Sequence, residues 1–434
     1  MRFEETYYDG GARVRTEIIE RDPETASVAA DPFSCPACEG LMNTIETLAQ
    51  ALGEELDGYE FKSLQIGAML PTDLSEEDEG IREMVGAPRS DRLKQAIVKS
   101  MGEKFLDANP DVKLTADSPD AVTVLDLVLL RADIELRPLY IYGRYRKLIR
   151  DLPQTRWPCR VCKGRDGGCE VCENTGLRYP DSVQDLIGKP VQDLIGGKDV
   201  VFHGMGREDI DVRCLGSGRP FVIEVREPIR RTVDFELLET AVNTAGEGRV
   251  EVLRCRPSTR KEVVRVKESD AEKSYKIRFR ITRQEPIIHE DALVIPEKKK
   301  GKRKRGRQHH KQDHTSKEKV QPEEDREGMD EKQLPELPDV NQVLDALSGV
   351  NIEQRTPERV QHRRADRIRK RKIVKLEIKE VGEEEVVLVL RTQSGTYVKE
   401  FVHGDNGRTK PSVAATLSRA CEVIELDVLE VHSD

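Results

Sequence analysis

Two Cys-x-x-Cys pairs six residues apart, Cys159/Cys162 and Cys169/Cys172, constrain this chain more tightly than anything else in it. A Cys-x-x-Cys turn points two thiolates at one position, and two such turns complete a tetrahedral four-cysteine zinc site. Gly164, Gly167, Gly168 and Gly176 permit the tight turns that such a knuckle needs. Four thiolates leave no coordination position for water, so the zinc is read as structural. A third pair, Cys35 and Cys38, lies far upstream. Two arrangements therefore stay open: the 159–172 set closes a site alone, or Cys35 and Cys38 clamp onto one of the later pairs. Cys214, Cys255 and Cys421 are isolated and read as core residues.

A redox pair or a disulfide is disfavoured where thiols stay reduced, and the chain reads as cytoplasmic. Its N-terminus, MRFEETYYDGGARVRTEIIERD, is charged throughout and lacks a signal-peptide core. There is no run of about 18 apolar residues to span a membrane.

A net charge of −9 argues at first against a nucleic-acid binder. The average conceals the distribution. Residues 298–311 hold nine Lys/Arg and no acid, and residues 355–375 hold ten Lys/Arg and two acids. The other 399 positions carry 53 basic against 79 acidic residues. An acidic body with two concentrated positive segments suits a polyanion, because each phosphate neutralised releases condensed counterions. A solvated basic tail is the alternative for the first run.

The pattern predicts a polar tail at 1–30, an α/β domain at 31–150, a cysteine-rich joint at 151–178 and a larger domain at 179–434. Within the α/β domain, apolar spacing predicts a helix over 43–52 and a buried strand over 62–70. The acidic stretch 73–83 reads as a solvated loop or helix start, and 121–130 and 134–142 as neighbouring strands. VQDLIG, repeated at 183–188 and 191–196, reads as two helical turns around Pro190. Strands are expected over 200–202, 221–225, 250–255, 263–266, 275–281, 292–295, 373–378, 386–391 and 424–431, with a last helix over 412–423. The polar, lysine-rich stretch at 297–340 reads as a disordered insertion.

His203–Phe221, HGMGREDIDVRCLGSGRPF, packs four glycines, three arginines and three acids into one strand–loop–strand segment. Such a loop fits carboxylate chemistry beside a polyanion, and spacing alone does not say which carboxylate acts. The stretch resembles the catalytic loop of pseudouridine synthases, whose Gly-Arg-x-Asp element carries the nucleophile. RTPERVQHRRAD at 355–366, GTYVKEFVHGDNGRTKPS at 395–412 and the cysteine joint after QTRWP at 154–158 are similar to the tenth family of those enzymes, found in archaea and eukaryotes.

The resemblance implies an α+β protein: a catalytic domain with a mixed, mainly antiparallel sheet, preceded by an RNA-binding accessory domain with a THUMP-like unit. It implies a tRNA pseudouridine synthase acting on T-loop uridines 54 and 55, a T-arm partner, no organic cofactor and a monomer. By the same resemblance Asp209 is the nucleophile, with Asp211 its rival. Tyr275 lies against the target base, and Lys399 pairs with the nucleophile and keeps it ionised. Tyr397, Arg408 and Lys410 line the cleft. Arg207, Arg213 and Arg219 orient the loop or hold phosphates, while Arg363 and Arg364 contact the RNA backbone. Whether attack falls on C6 of uracil or C1′ of ribose stays open. A binding-only zinc protein and a methyltransferase are the competing classes. The second lacks a cofactor loop, since Gly216-Ser-Gly218 runs into Arg219-Pro220 and a strand.

Overall fold

A computed structural model describes residues 38, 40–84, 86, 92–165, 167–294 and 337–433. The expected tail at 1–30, Cys35 and the basic run 298–311 lie outside the described residues. The chain forms two compact units, Met1–Arg207 with Arg219–Glu268, and Glu208–Gly218 with Ser269–Asp434.

The first unit begins with helix α1 (Ile45–Leu56), whose Ile45, Leu48, Leu52 and Leu56 recur at helical spacing and are all buried. Strand β1 (Ser63–Met69) follows, then helices α2 (Thr72–Met84) and α3 (Leu93–Ala108) and strands β2 (Lys113–Leu114), β3 (Ala121–Asp126) and β4 (Arg131–Leu136). They form a sheet of order β2-β1-β3-β4, parallel except for the β3–β4 hairpin. The acidic stretch expected as a solvated loop or helix start is helix α2. Buried Asp78 bonds Arg82 one turn on at 3.2 Å, and the same carboxylate accepts Leu93 N at 3.2 Å, tying α2 to the start of α3.

The strand expected over 134–142 is two strands. Pro138 cannot donate to a ladder, so β4 ends at Leu136, and β5 (Leu139–Lys147) joins a second sheet. Helix α4 (Val183–Ile195) takes in the first VQDLIG copy and the second up to Ile195, with Pro190 inside it and Gly196 as its C-cap. Strand β6 (Asp199–Gly204) and the second half of β7 (Arg213–Arg226) pair antiparallel, and β5 pairs antiparallel with β8 (Val250–Pro257). Helix α5 (Phe235–Gly246) and α4 cover this sheet around buried Tyr145 and Phe221. The strand expected over 263–266 is helix α6 (Arg260–Glu268): Val263 and Val266 are buried three residues apart, while Val264 is 49% exposed. Glu60 accepts the backbone N–H groups of Arg231 and Thr232, joining the two sheets of this unit.

The second unit is built on strands β9 (Glu272–Ile281), β10 (Asn351–Arg355), β11 (Ile368–Val381), β12 (Glu385–Thr392), β13 (Thr409–Lys410) and β14 (Cys421–His432), in the order β13-β10-β11-β12-β9-β14. Every pair in that series is antiparallel. The start of β7 adds parallel to β14, Arg213 opposite Asp427 and Cys214 opposite Val428. Residues 292–294, expected in a strand, lie in turn and irregular structure. Helix α7 (Val340–Asp345) packs on β11, and α8 (Val398–His403) on β14. The last helix is shorter than expected: α9 (Val413–Leu417) stops where Ser418 takes φ 53°. The whole is mixed α/β with a mainly antiparallel second sheet. Among the described residues no helix is long and apolar enough to cross a membrane.

Candidate active site

The loop leading into β7 presents Asp209 and Asp211. The Asp209 side chain is 30% exposed, and Arg359 Nη1 lies 2.9 Å from its Oδ2. Lys399 Nζ is 4.0 Å from the same oxygen and 2.6 Å from Asp211 Oδ2. Two cations thus face two carboxylates, Arg359 against Asp209 and Lys399 chiefly against Asp211. Burial works against charge on Asp211, but the hydrogen bond and charge of Lys399 outweigh it and hold the carboxyl below its ordinary range.

Local sequence explains how the cations arrive. Pro357, at φ −57°, starts the short turn Glu358–Val360 that carries Arg359. Its Nε donates to Glu400 Oε1 at 2.6 Å, and Glu400 is 1% exposed. Burial disfavours the Arg359 charge, yet the Glu400 and Asp209 carboxylates prevail and hold the guanidinium above its ordinary value. Lys399 and Glu400 are neighbours on α8, whose start is fixed by the fully buried Gln354 amide. Gln354 Nε2 donates to Tyr397 O and its Oε1 accepts Tyr397 N, both at 2.9 Å. Arg359, Glu400 and Gln354 belong to this candidate site and were not singled out by sequence reasoning. Arg359 lay within the RTPERV stretch, and Glu400 beside Lys399.

The other expected residues divide by environment. Tyr397 is half-buried, with Arg364 Nη1 3.5 Å from its hydroxyl and the Arg369 guanidinium 6.0 Å from its ring centroid. Arg363 and Arg364 are exposed, and Lys410 is half-buried at the sheet edge on β13. Arg408 is buried, bonded to Thr356 O and paired with Asp366 and Asp405, so it braces this turn. Arg213 forms a two-pronged pair with Asp427, at 2.9 and 2.7 Å. Arg219 is 1% exposed and donates to Met205 O. Arg207 is exposed, its guanidinium 5.6 Å from the centre of the Trp157 ring. Tyr275 is half-buried on β9, in register with Val428, which is itself in register with Cys214. Two strand spacings, about 10 Å, therefore separate Tyr275 from Cys214.

The cysteines separate cleanly. Ligand atoms of Cys159, Cys162, Cys169 and Cys172 all lie within 4.8 Å of one another. Cys159–Cys169, Cys162–Cys172 and Cys169–Cys172 sulfur distances are 3.9, 3.8 and 3.7 Å. Four sulfurs about 2.3 Å from a tetrahedral ion would be about 3.8 Å apart. The donor set fits a structural metal ion. Cys38 is buried in the first unit's N-terminal core and is not among the four. Cys214 and Cys421 are buried, as expected of core residues, and burial pushes the half-buried Cys255 thiol up to about 12.

A family model described as "Pus10, C-terminal" matches residues 140–305 and 329–432. The chain belongs to the Pus10 family. A relative from Methanothrix thermoacetophila named tRNA pseudouridine synthase Pus10 is 36% identical over 93% of this chain and 78% of its own length. Relatives of the same name from Methanocaldococcus jannaschii and Halorubrum lacusprofundi are 34% and 32% identical, each over 98% of this chain and over 79% and 88% of their own lengths. Among solved structures, a Cbf5-Nop10-Gar1 complex matches 57% of this chain and 45% of that one, at 14% identity and a TM-score of 0.28. A likeness at that score carries no argument. The two matched segments of the Pus10 model contain Asp209, Asp211, Tyr275, Arg359, Lys399 and all four clustered cysteines.

Proposed function

We propose that this chain isomerises uridines 54 and 55 in the T-loop of tRNA to pseudouridine, with Asp209 as nucleophile. The observation that carries the reading is the Asp209 carboxylate, partly exposed and held 2.9 Å from Arg359 with Lys399 beyond it. The guanidinium contact holds the carboxylate in place. Asp209 attacks the target nucleoside, the bond between N1 and C1′ breaks, the uracil turns, and C5 joins C1′ as it gives up its proton. The atoms of the product are those of the substrate, so the reaction calls for no organic cofactor. Tyr275 lies against the target base, and Asp211 holds Lys399.

A uridine inside folded RNA has to leave its stack, at a cost of a few kcal/mol. Contacts from the basic segment 355–375, Arg363 and Arg364 among them, offset that cost. Cys159, Cys162, Cys169 and Cys172 hold a structural zinc ion, which cross-links the knuckle. Residues 31–150 form a THUMP-like, RNA-binding accessory domain, and the protein works as a cytoplasmic monomer on the T-arm.

The test is incubation of the purified protein with an unmodified tRNA transcript and no added cofactor, followed by chemical mapping of pseudouridine. Product is expected at 54 and 55 from wild type, none from Asp209→Ala, and reduced product from Asp211→Ala. Activity that survives Asp209→Ala and vanishes in Asp211→Ala would move the nucleophile to Asp211.

A further inference from the structure

The flanks of the cysteine knuckle carry a feature that metal binding does not explain. Its two arms are paired: Cys159 N donates to Gly176 O at 2.8 Å, Arg178 N donates to Trp157 O at 2.9 Å, and Pro158 forms an antiparallel bridge with Leu177. The pairing sets Trp157 beside Arg178 and Tyr179. The Trp157 and Tyr179 rings meet edge to face, centroids 5.6 Å apart at 74°. The Arg178 guanidinium lies 5.4 Å from the Trp157 centroid and 5.2 Å from that of Tyr179, and Arg207 approaches the same indole. Both rings are half-buried, and both arginines are exposed.

A core role would have buried the rings, and a surface ion-pair role would have given Arg178 a carboxylate. Among the described residues Arg178 pairs with none, on a chain rich in acids. Flat aromatic and guanidinium faces beside positive charge are what an unpaired nucleotide needs: a stacking surface for its base and forked donors for its phosphate.

We infer that Trp157, Tyr179 and Arg178 form a nucleotide-stacking platform that holds an unpaired base of the RNA substrate, with Arg178 and Arg207 taking its phosphates. The inference rests on the RNA-substrate reading given above and adds a binding site to it.

Trp157 is the sole tryptophan, and its emission reports on the platform directly. Titrating the full-length protein with tRNA transcript should quench that emission to saturation. Polyphosphate, which has charge but no bases, should leave it nearly unchanged. Trp157→Ala and Arg178→Glu should each weaken tRNA binding roughly 10-fold, while Trp157→Phe, which keeps a stacking face, should stay near wild type. Arg178→Glu alters an exposed side chain and so guards against misfolding of Trp157→Ala. Unchanged emission at saturating tRNA would overturn the platform, as would wild-type affinity in both disruptive variants or equal quenching by polyphosphate. Quenching by tRNA without any pseudouridine would keep the platform and overturn the enzymatic reading. Pseudouridine formation without quenching would do the reverse.

Discussion

Arg359 holds two carboxylates of opposite character, Glu400 at 1% side-chain exposure and Asp209 at 30%. Removing the guanidinium strands a buried charge. Arg359→Ala should therefore cost about 3 kcal/mol of stability as well as the activity. Replacing the pair with apolar side chains, Arg359→Met with Glu400→Leu, should recover most of the stability but none of the activity. Urea midpoints and pseudouridine yield, measured together, separate the two effects. A double variant that reacts at the wild-type rate would show that Arg359 does not serve Asp209. This pair was illegible in the sequence because 150 positions separate Asp209 from Arg359, and only the folded second unit brings them together. Lys399 was legible as a cation near the loop. That its nearer partner is Asp211 depends on how α8 lies, which spacing does not reveal.

At the scale of elements, the loop that carries Asp209 and Asp211 is fastened where it enters β7. Arg213 grips Asp427, Ser217 bonds Glu430, and Gly216 passes so close to β14 that a Cβ there would sit 1.8 Å from Leu429 O. Gly216 also has φ +59°, so Gly216→Ala meets both strain and collision. It should lose at least about 2 kcal/mol, seen as a lower thermal midpoint, with activity falling because the strand carrying the loop is displaced. An unchanged midpoint would mean that β14 gives way at no cost.

The knuckle makes a separate prediction. Wild type and Cys38→Ser should each hold about one zinc per chain, and Cys159→Ser with Cys172→Ser almost none. Elemental analysis reads the metal, and Trp157 emission should shift on chelation because the metal closes the arms that bear it. Equal metal loss in Cys38→Ser would bring the upstream cysteines back into the site. Short-range patterns of this kind were legible, as were most strands. The misses were places where tertiary burial overrode composition. The valines of 263–266 belong to a helix because only Val263 and Val266 face inward.

For the whole molecule, charge placement matters more than its sum. Outside the two basic segments the chain is strongly acidic, which repels RNA from most surfaces and favours approach by the basic ones. Within 355–375 several cations have internal duties: Arg355 binds Asp366, Arg359 binds Glu400 and Asp209, and Lys375 binds Glu377. Arg363, Arg364, Arg367 and Lys372 are exposed. If these four meet phosphates, changing all of them to Gln should lower the slope of log K against log salt by about 3, since each neutralised phosphate contributes about 0.7–0.9. Affinity should fall most at low salt and converge with wild type at high salt, while the folded stability stays close to wild type, because surface ion pairs contribute little. Deleting 298–311 should flatten the slope further. A quadruple variant with the wild-type slope would place the RNA elsewhere, and an unchanged slope after the deletion would make that run a passive tail.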